Sequence, residues 1–395
     1  MQRHTIRGKT RTIIYPIIIY LGVTSIMGCK RLEINQTKRN WEKLSAYFTP
    51  PPLYQEKFGT YRNPLLFYNG DTVKNADDWL KRRKEIKDKW LNLIGHWPAI
   101  ITNQKLEIIK TTEREDFKQH LVRFYWTPLE QTYGYLLEPN KKGKHPAVIT
   151  VFYEPETAIG WGGKANRDFA YQLTKRGFVT LSLGTRQTTK DKTYSLYYPT
   201  INNSTMQPLS VLAYAAANAW EVLARVESVD STRIGIMGHS YGAKWAMFAS
   251  CLYEKFACTA WSDPGIVFDE TKDNYINYWE PWYLGYYPPP RKKIWSNNGN
   301  NSSTSVYARL CKEGHDLHEL HSLLAPRPFL VSGGYSDNVD RWIPLNHSVA
   351  VNRLLGYHHR VAMTNRPKHD PTPESNETIY KFFEWFLKRK TPKED

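Results

Sequence analysis

The spacing of apolar residues changes character along this chain. From Asn75 to Trp97 the apolar positions Trp79, Ile86, Trp90, Leu91 and Ile94 recur at helical spacing, with charges in the gaps, which predicts an amphipathic helix. The next three segments, "KLEIIKTTER", "KQHLVRFYWTP" and "TYGYLLEP", alternate apolar and polar residues between turn formers and predict an antiparallel run of strands. The alternation then stops. "HPAVITVFY", "FVTLSLG" and "RIGIMG" are continuous apolar runs, as strands covered on both faces require. "FACTAWSD", "RPFLVSGG" and "HRVAMTN" predict three more short strands. Helical segments lie between the runs: "RDFAYQLTKRG", Leu209–Glu227, "YGAKWAMFASCLY" and the closing "TPESNETIYKFFEWFLKRK". Alternating strands and helices predict right-handed βαβ units and an α/β fold with a mostly parallel sheet flanked by helices.

One junction in this series carries chemistry. Gly238-His239-Ser240-Tyr241-Gly242 stands between the apolar run "RIGIMG" and a helix. A Gly-x-Ser-x-Gly in that context is a nucleophile elbow: the serine occupies a tight, strained turn, and its neighbours two residues away must be small. Ser240 is therefore the candidate nucleophile. Such a serine needs an imidazole base and an orienting carboxylate, in the chain order Ser, acid, His. His369, in the turn-rich loop after "HRVAMTN", is the candidate base. For the acid, Asp337 after the penultimate strand ranks first, Asp263 second and Asp340 third; Asp263 also suits a simple Asp-Pro-Gly turn. The oxyanion would be held by the backbone N–H of Tyr241 together with that of Tyr153 or Glu154, in the loop after "AVITVFY". His239 is expected to point into the fold. His315, His318 and His321 are spaced like metal ligands, but no carboxylates join them in a recognised motif, so they read as solvated or core histidines. No metal and no organic cofactor is implied.

The amino terminus belongs to targeting rather than to the fold. Arg3, Arg7, Lys9 and Arg11 precede the apolar run Ile13–Met27, and "SIMGC" follows the pattern of a lipoprotein cleavage site. This predicts a signal peptide over residues 1–28, lipidation of Cys29, and an exported, periplasmic or outer-membrane-attached protein held to a membrane by its lipid anchor only. Residues 29–105 are expected to be a tether and N-terminal helical extension, and residues 106–390 the catalytic domain. The formal charge of +16 falls to +12 without residues 1–28, and no block of basic residues interleaved with aromatics points to nucleic acid. Cys251, Cys258 and Cys311 form no C-x-x-C pair; Cys251 and Cys258 read as small buried hydrophobes, with a disulfide as the alternative.

Ser240, His369 and the strand–helix series from about Leu106 to Lys390 resemble the α/β-hydrolase superfamily. Within it, "LLAPRPFLVSGGYSDNVDRWIPLNHSVAVNRLLGYHHRVAMTN" is similar to bacterial carbohydrate esterases, both acetyl xylan esterase-like and glucuronoyl esterase-like. The resemblance implies a serine esterase that cleaves acyl or methyl esters on polysaccharides. In the glucuronoyl esterases an Arg follows the serine; Tyr241 stands there in this chain, whereas Lys244 matches that family's Lys and is a candidate substrate contact. An insertion at about residues 264–325 holds Tyr275, Tyr278, Trp279, Trp282, Tyr283, Tyr286 and Tyr287. Trp279 and Trp282 are candidate sugar-stacking residues, the alternative being that these rings form the insertion's own small core. The expected partner is an acylated carbohydrate. A peptidase or amidase using the same three residues, and a non-catalytic carbohydrate-binding lipoprotein, are the rival readings.

Overall fold

The computed structural model describes residues 41–185, 196–286 and 305–389. Residues 1–28, Cys29 and Tyr287 lie outside the described residues, and so do the expectations that rest on them. From Leu44 onward the chain forms one compact unit. Its centre is a nine-stranded sheet in the order β1-β2-β3-β5-β4-β6-β7-β8-β9. The first three strands, β1 (Glu107–Arg114), β2 (Phe117–Thr127) and β3 (Glu130–Pro139), are antiparallel, and β3 pairs antiparallel with β5 (Val179–Gly184). From β5 onward the pairing is parallel, through β4 (His145–Phe152), β6 (Val229–His239), β7 (Thr259–Ser262), β8 (Phe329–Gly333) and β9 (Val361–Asn365). The change of period read from the sequence is thus the change from antiparallel to parallel pairing. β4 and β5 are buried at every position because helices cover both faces, whereas β1 is exposed and carries Lys110, Glu113 and Arg114 along an open edge. Charges on an edge strand discourage pairing with another chain.

The predicted helices form close to the expected limits. The first, α1 (Ala76–Ile94), starts where the Asn75 side chain accepts a hydrogen bond from the Asp78 amide, with Asp77 and Asp78 in its first turn. It stops at Gly95, whose φ of 96° favours glycine and where an added Cβ would lie 2.2 Å from the Thr205 carbonyl. Besides the single turn Pro155–Ala158, the others in chain order are α2 (Phe169–Lys175), α3 (Pro208–Leu223), α4 (Tyr241–Leu252), α5 (Val306–Lys312), α6 (His318–Ser322), α7 (Trp342–Leu354) and α8 (Pro373–Phe383). All of α3 is buried, and its run of alanines lets it pack closely on α4 and β2. None of the helices among the described residues is long and apolar enough to cross a membrane. Cys251 and Cys258 are free and buried, so no disulfide joins them.

The segment before α1 is bound to the rest of the unit through its carbonyls. Asn346 donates to the carbonyls of Tyr54 and Lys57, His347 bonds to that of Phe58, His318 to that of Arg62, and the buried Arg82 donates to that of Pro64. The three spaced histidines are buried and engaged here. His315 bonds to Glu319 at 2.7 Å, and His321 contacts the sulfur of Met247 at 3.2 Å. Glu319 itself is fully buried, accepts also from the indole of Trp90 at 3.1 Å, and has the Arg62 guanidinium 3.7 Å away. Burial would raise the Glu319 carboxyl, but the hydrogen bond and charge of His315 outweigh it and hold the group below the usual range. Removing one partner of such a buried set leaves the others unpaired, at a cost of about 3–5 kcal/mol. Glu319→Ala should therefore lower stability by about 3 kcal/mol or more in denaturant unfolding. The folded pKa is depressed, so the stability Glu319 provides is present above the ordinary carboxylate range and is lost as pH falls through the depressed value; Glu319→Gln should flatten the acid limb of the stability–pH curve.

Candidate active site

The elbow explains its two glycines. Ser240 lies between the end of β6 and the start of α4 with φ 55° and ψ −117°, a left-handed backbone that a non-glycine residue adopts only when its surroundings enforce it. The backbones around it nearly touch. A Cβ on Gly238 would sit 2.2 Å from the Gly242 carbonyl carbon, and one on Gly242 would sit 2.0 Å from the Val151 carbonyl oxygen. The turn is therefore pressed between its own helix and the end of β4, and this contact raises the serine above the sheet edge.

His369 bonds to Ser240 on one side and to a carboxylate on the other. Its Nε2 is 2.8 Å from the Ser240 Oγ, and its Nδ1 is 2.6 Å from the Asp263 carboxylate. A carboxylate at Nδ1 keeps the proton there, which leaves the Nε2 lone pair to accept from the serine hydroxyl. The acid position is a correction to the sequence ranking. Asp263, at the end of β7, occupies it; Asp337, ranked first, does not. Asp337 points the other way and accepts from the amides of Gly265 and Ile266 at 2.8 and 2.7 Å. Asp263 in turn accepts from the amides of Gly334, Ser336 and Asp337 at 2.7, 3.2 and 2.9 Å. Each carboxylate is thus held by the backbone of the loop that carries the other. Burial would raise the Asp263 carboxyl, but its bond to His369, with the charges of His369 and Arg366, keeps it below its ordinary value. Asp337 is pushed up, first by burial and then by the negative charge of Asp263. Asp340 lies farther along, in the 3-10 turn Val339–Arg341.

One residue that the sequence did not single out braces this centre. Arg366 is buried and donates to the carbonyls of Ser332, His369 and Asp370 at 2.7, 2.6 and 2.8 Å, which ties the His369 loop to the end of β8. Its NH2 also donates to the Ser262 hydroxyl, which bonds to Nδ1 of His239. His239 is buried as expected, its ring 4.8 Å from that of His369, and burial holds it well below its ordinary value and so uncharged. Tyr335, in the loop after β8, faces solvent. A lone Arg three residues before His369 gives no sequence signal, because only the folded loop brings it under β8.

The remaining candidates take varied positions. Tyr241 opens α4, and its buried ring stacks on that of Tyr153 at 4.6 Å with a 10° interplanar angle. Tyr153 and Glu154 directly follow β4, beside the elbow, and the Glu154 carboxylate pairs with Lys164 at 3.1 Å. Lys244, expected at the substrate, is only 2% exposed; its ammonium donates to the Tyr275 carbonyl at 2.7 Å beneath the rings of Tyr278 and Tyr283, and burial brings it down to about 8. It anchors the aromatic insertion from inside. Trp279 and Trp282 are half-buried against the core, with ring contacts to Tyr307 and Tyr283, and Tyr278, Tyr283 and Tyr286 are buried. Among the described residues, most of the insertion's rings thus join the main core, against Tyr241 and Phe248 of α4, rather than a small core of their own, and Tyr275 packs on His369.

No protein-family model matches the chain, and no curated protein matches it in sequence. Solved structures do. A glucuronoyl esterase from Solibacter usitatus superposes with a TM-score of 0.62 at 17% identity, covering 83% of this chain and 97% of its own. A carbohydrate esterase family 15 glucuronoyl esterase from Caldicellulosiruptor kristjansonii gives 0.60 at 19% identity, over 88% and 95%. A Bacteroides fragilis protein assigned as an acetyl xylan esterase gives 0.52 at 15% identity, over 82% and 86%. These likenesses establish the α/β-hydrolase fold.

The close approach at the elbow makes a direct prediction. Gly242→Ala forces a methyl carbon into the Val151 carbonyl, and neither backbone can yield without moving the serine. Overpacking of a core typically costs about 1–3 kcal/mol, and a backbone clash should reach the upper end. Thermal unfolding should show a lowered midpoint, whereas Ala243→Gly, one residue on and within the helix, should cost only about 1 kcal/mol.

Proposed function

We propose that this chain is a serine carboxylester hydrolase acting on an acylated carbohydrate. The observation that carries the reading is the unbroken hydrogen-bonded series from the Ser240 hydroxyl through His369 to Asp263. Ser240 Oγ attacks the ester carbonyl while His369 Nε2 takes its proton. The carbonyl oxygen becomes an oxyanion, received by the Tyr241 amide at the α4 N-terminus and by an amide at Tyr153 or Glu154. Collapse of this intermediate breaks the bond to the leaving oxygen, to which His369 returns the proton. Water then attacks the acyl-enzyme, delivering its proton through the same imidazole and restoring Ser240. Asp263 fixes the ring orientation and stabilises the imidazolium, and Arg366 holds the loop that carries it.

The carbohydrate class is supported by the fold neighbours, which include glucuronoyl esterases and the acetyl xylan esterase-like protein. A glucuronoyl ester is the second reading, favoured by those neighbours. Against it stands Tyr241, whose buried ring is stacked on Tyr153 where the glucuronoyl esterases carry an Arg. We further read the chain as exported through residues 1–28 and tethered by a lipid on Cys29.

Ser240→Ala should reduce p-nitrophenyl acetate hydrolysis to background. Asp263→Asn should lower kcat by about three to four orders of magnitude with little change in KM, because an amide at that position selects the wrong imidazole tautomer. Asp337→Asn should lower the melting midpoint and cost far less activity. An active Asp263→Asn beside an inactive Asp337→Asn would reassign the acid; hydrolysis undiminished by Ser240→Ala would remove the esterase reading at this site.

A further inference from the structure

The flank of His369 that faces solvent is not bare. The Tyr275 ring meets the imidazole edge-on, with centroids 4.9 Å apart and planes at 69°. The Tyr335 ring lies 4.8 Å from that of Tyr275, tilted by 55°, and the Lys272 ammonium rests 4.5 Å from its centroid. The two tyrosines are 42% and 44% exposed, whereas Tyr278, Tyr283 and Tyr286 of the insertion are buried. They come from different loops, one after β7 and one after β8.

Both loops are fixed. Lys244 pins Tyr275 through its carbonyl, and Tyr335 stands between Gly334 and Ser336, whose amides hold the Asp263 carboxylate. These ties fix where each side chain leaves the backbone. Two half-exposed aromatic rings set on anchored backbone beside a reacting group form a ready stacking surface, since less order remains to be imposed when a ligand binds.

The position of this surface decides what would lie on it. His369 returns its proton to the leaving oxygen, so whatever is bonded to that oxygen passes along the imidazole's open flank. We infer that Tyr275 and Tyr335 form a stacking shelf for a sugar ring on the leaving-alcohol side, so that the preferred substrates are esters in which a sugar hydroxyl carries the acyl group. An ester of a uronate carboxyl would instead place its sugar on the acyl side, away from the shelf. The inference rests on the esterase reading and deepens it.

The test compares kcat/KM for glucose pentaacetate with that for ethyl acetate, whose alcohol has nothing to stack, in the full-length protein and in Tyr335→Ala and Tyr335→Trp. Tyr335 is half-exposed, so its truncation leaves the amides around Asp263 in place. The ratio of the two constants should fall about three- to tenfold in Tyr335→Ala, mainly through KM for the sugar ester, and should be kept or raised in Tyr335→Trp. A ratio within twofold of the parent in Tyr335→Ala overturns the shelf. Calorimetric binding of glucose pentaacetate to Ser240→Ala and to Ser240→Ala/Tyr335→Ala separates the two readings. If the parent hydrolyses neither ester, the esterase reading fails; binding that weakens in the double variant then still supports the shelf, whereas equal binding, or none to either, overturns it.

Discussion

Two carboxylates lie in the interior near the sheet's C-terminal edge, and the arrangement around them depends on how they are paid for. An ionised carboxylate moved out of water without partners is strongly disfavoured. Here Asp263 receives three amides from the loop after β8, and Asp337 receives two from the loop after β7. Each loop is therefore shaped by the other's acid. The exchange fixes the ends of two neighbouring strands relative to each other and directs one carboxylate at His369. Asp263 adopts φ 55°, as Ser240 does, so both the serine and the acid sit on backbone that the surroundings hold in an unfavourable form. Arg366 adds the compensating positive charge and closes the histidine loop over the same strand ends.

The aromatic insertion is organised by a second buried charge. Lys244 reaches from α4 into a cage of tyrosine rings and ends on the Tyr275 carbonyl. A lysine with its stem and ammonium inside must find an acceptor, and a backbone carbonyl of the insertion supplies it. One helix thus carries Ser240 at its start and, a turn later, the tie that sets the insertion beside the histidine. This places Tyr275 against His369 and leaves Trp279 and Trp282 deeper in the insertion.

The segment before α1 follows the same economy of polar groups. Its carbonyls from Tyr54 to Pro64 are met by side chains from α1, α6 and α7, and one of the histidines spaced like metal ligands, His318, is among them. Their three-residue spacing puts His315, His318 and His321 near one another along the chain, but each meets a different partner: a carboxylate, a backbone carbonyl and a methionine sulfur. Spacing alone could not distinguish that outcome from ligation.

Ser240 and the strand–helix order were legible in the sequence because they rest on local physics. Continuous apolar runs need cover on both faces, and two glycines flanking a serine answer a clash between backbones a few residues apart. His369 was legible because it follows the last strand of an alternating series. The choice among Asp263, Asp337 and Asp340 was not. All three follow parallel strands and all suit turns, and what separates them is which one finds three amides and an imidazole within reach, a matter of contacts between loops some seventy residues apart. The same holds for Lys244, whose sequence position beside the nucleophile said nothing about the carbonyl it meets, and for Arg366 and Tyr335. The sequence by itself determined the fold class and the strained serine turn, because near neighbours in the chain fix them; only the tertiary structure decided which carboxylate meets His369, the buried lysine and the exposed tyrosines, because desolvation and hydrogen-bond partners are set by residues far away along it.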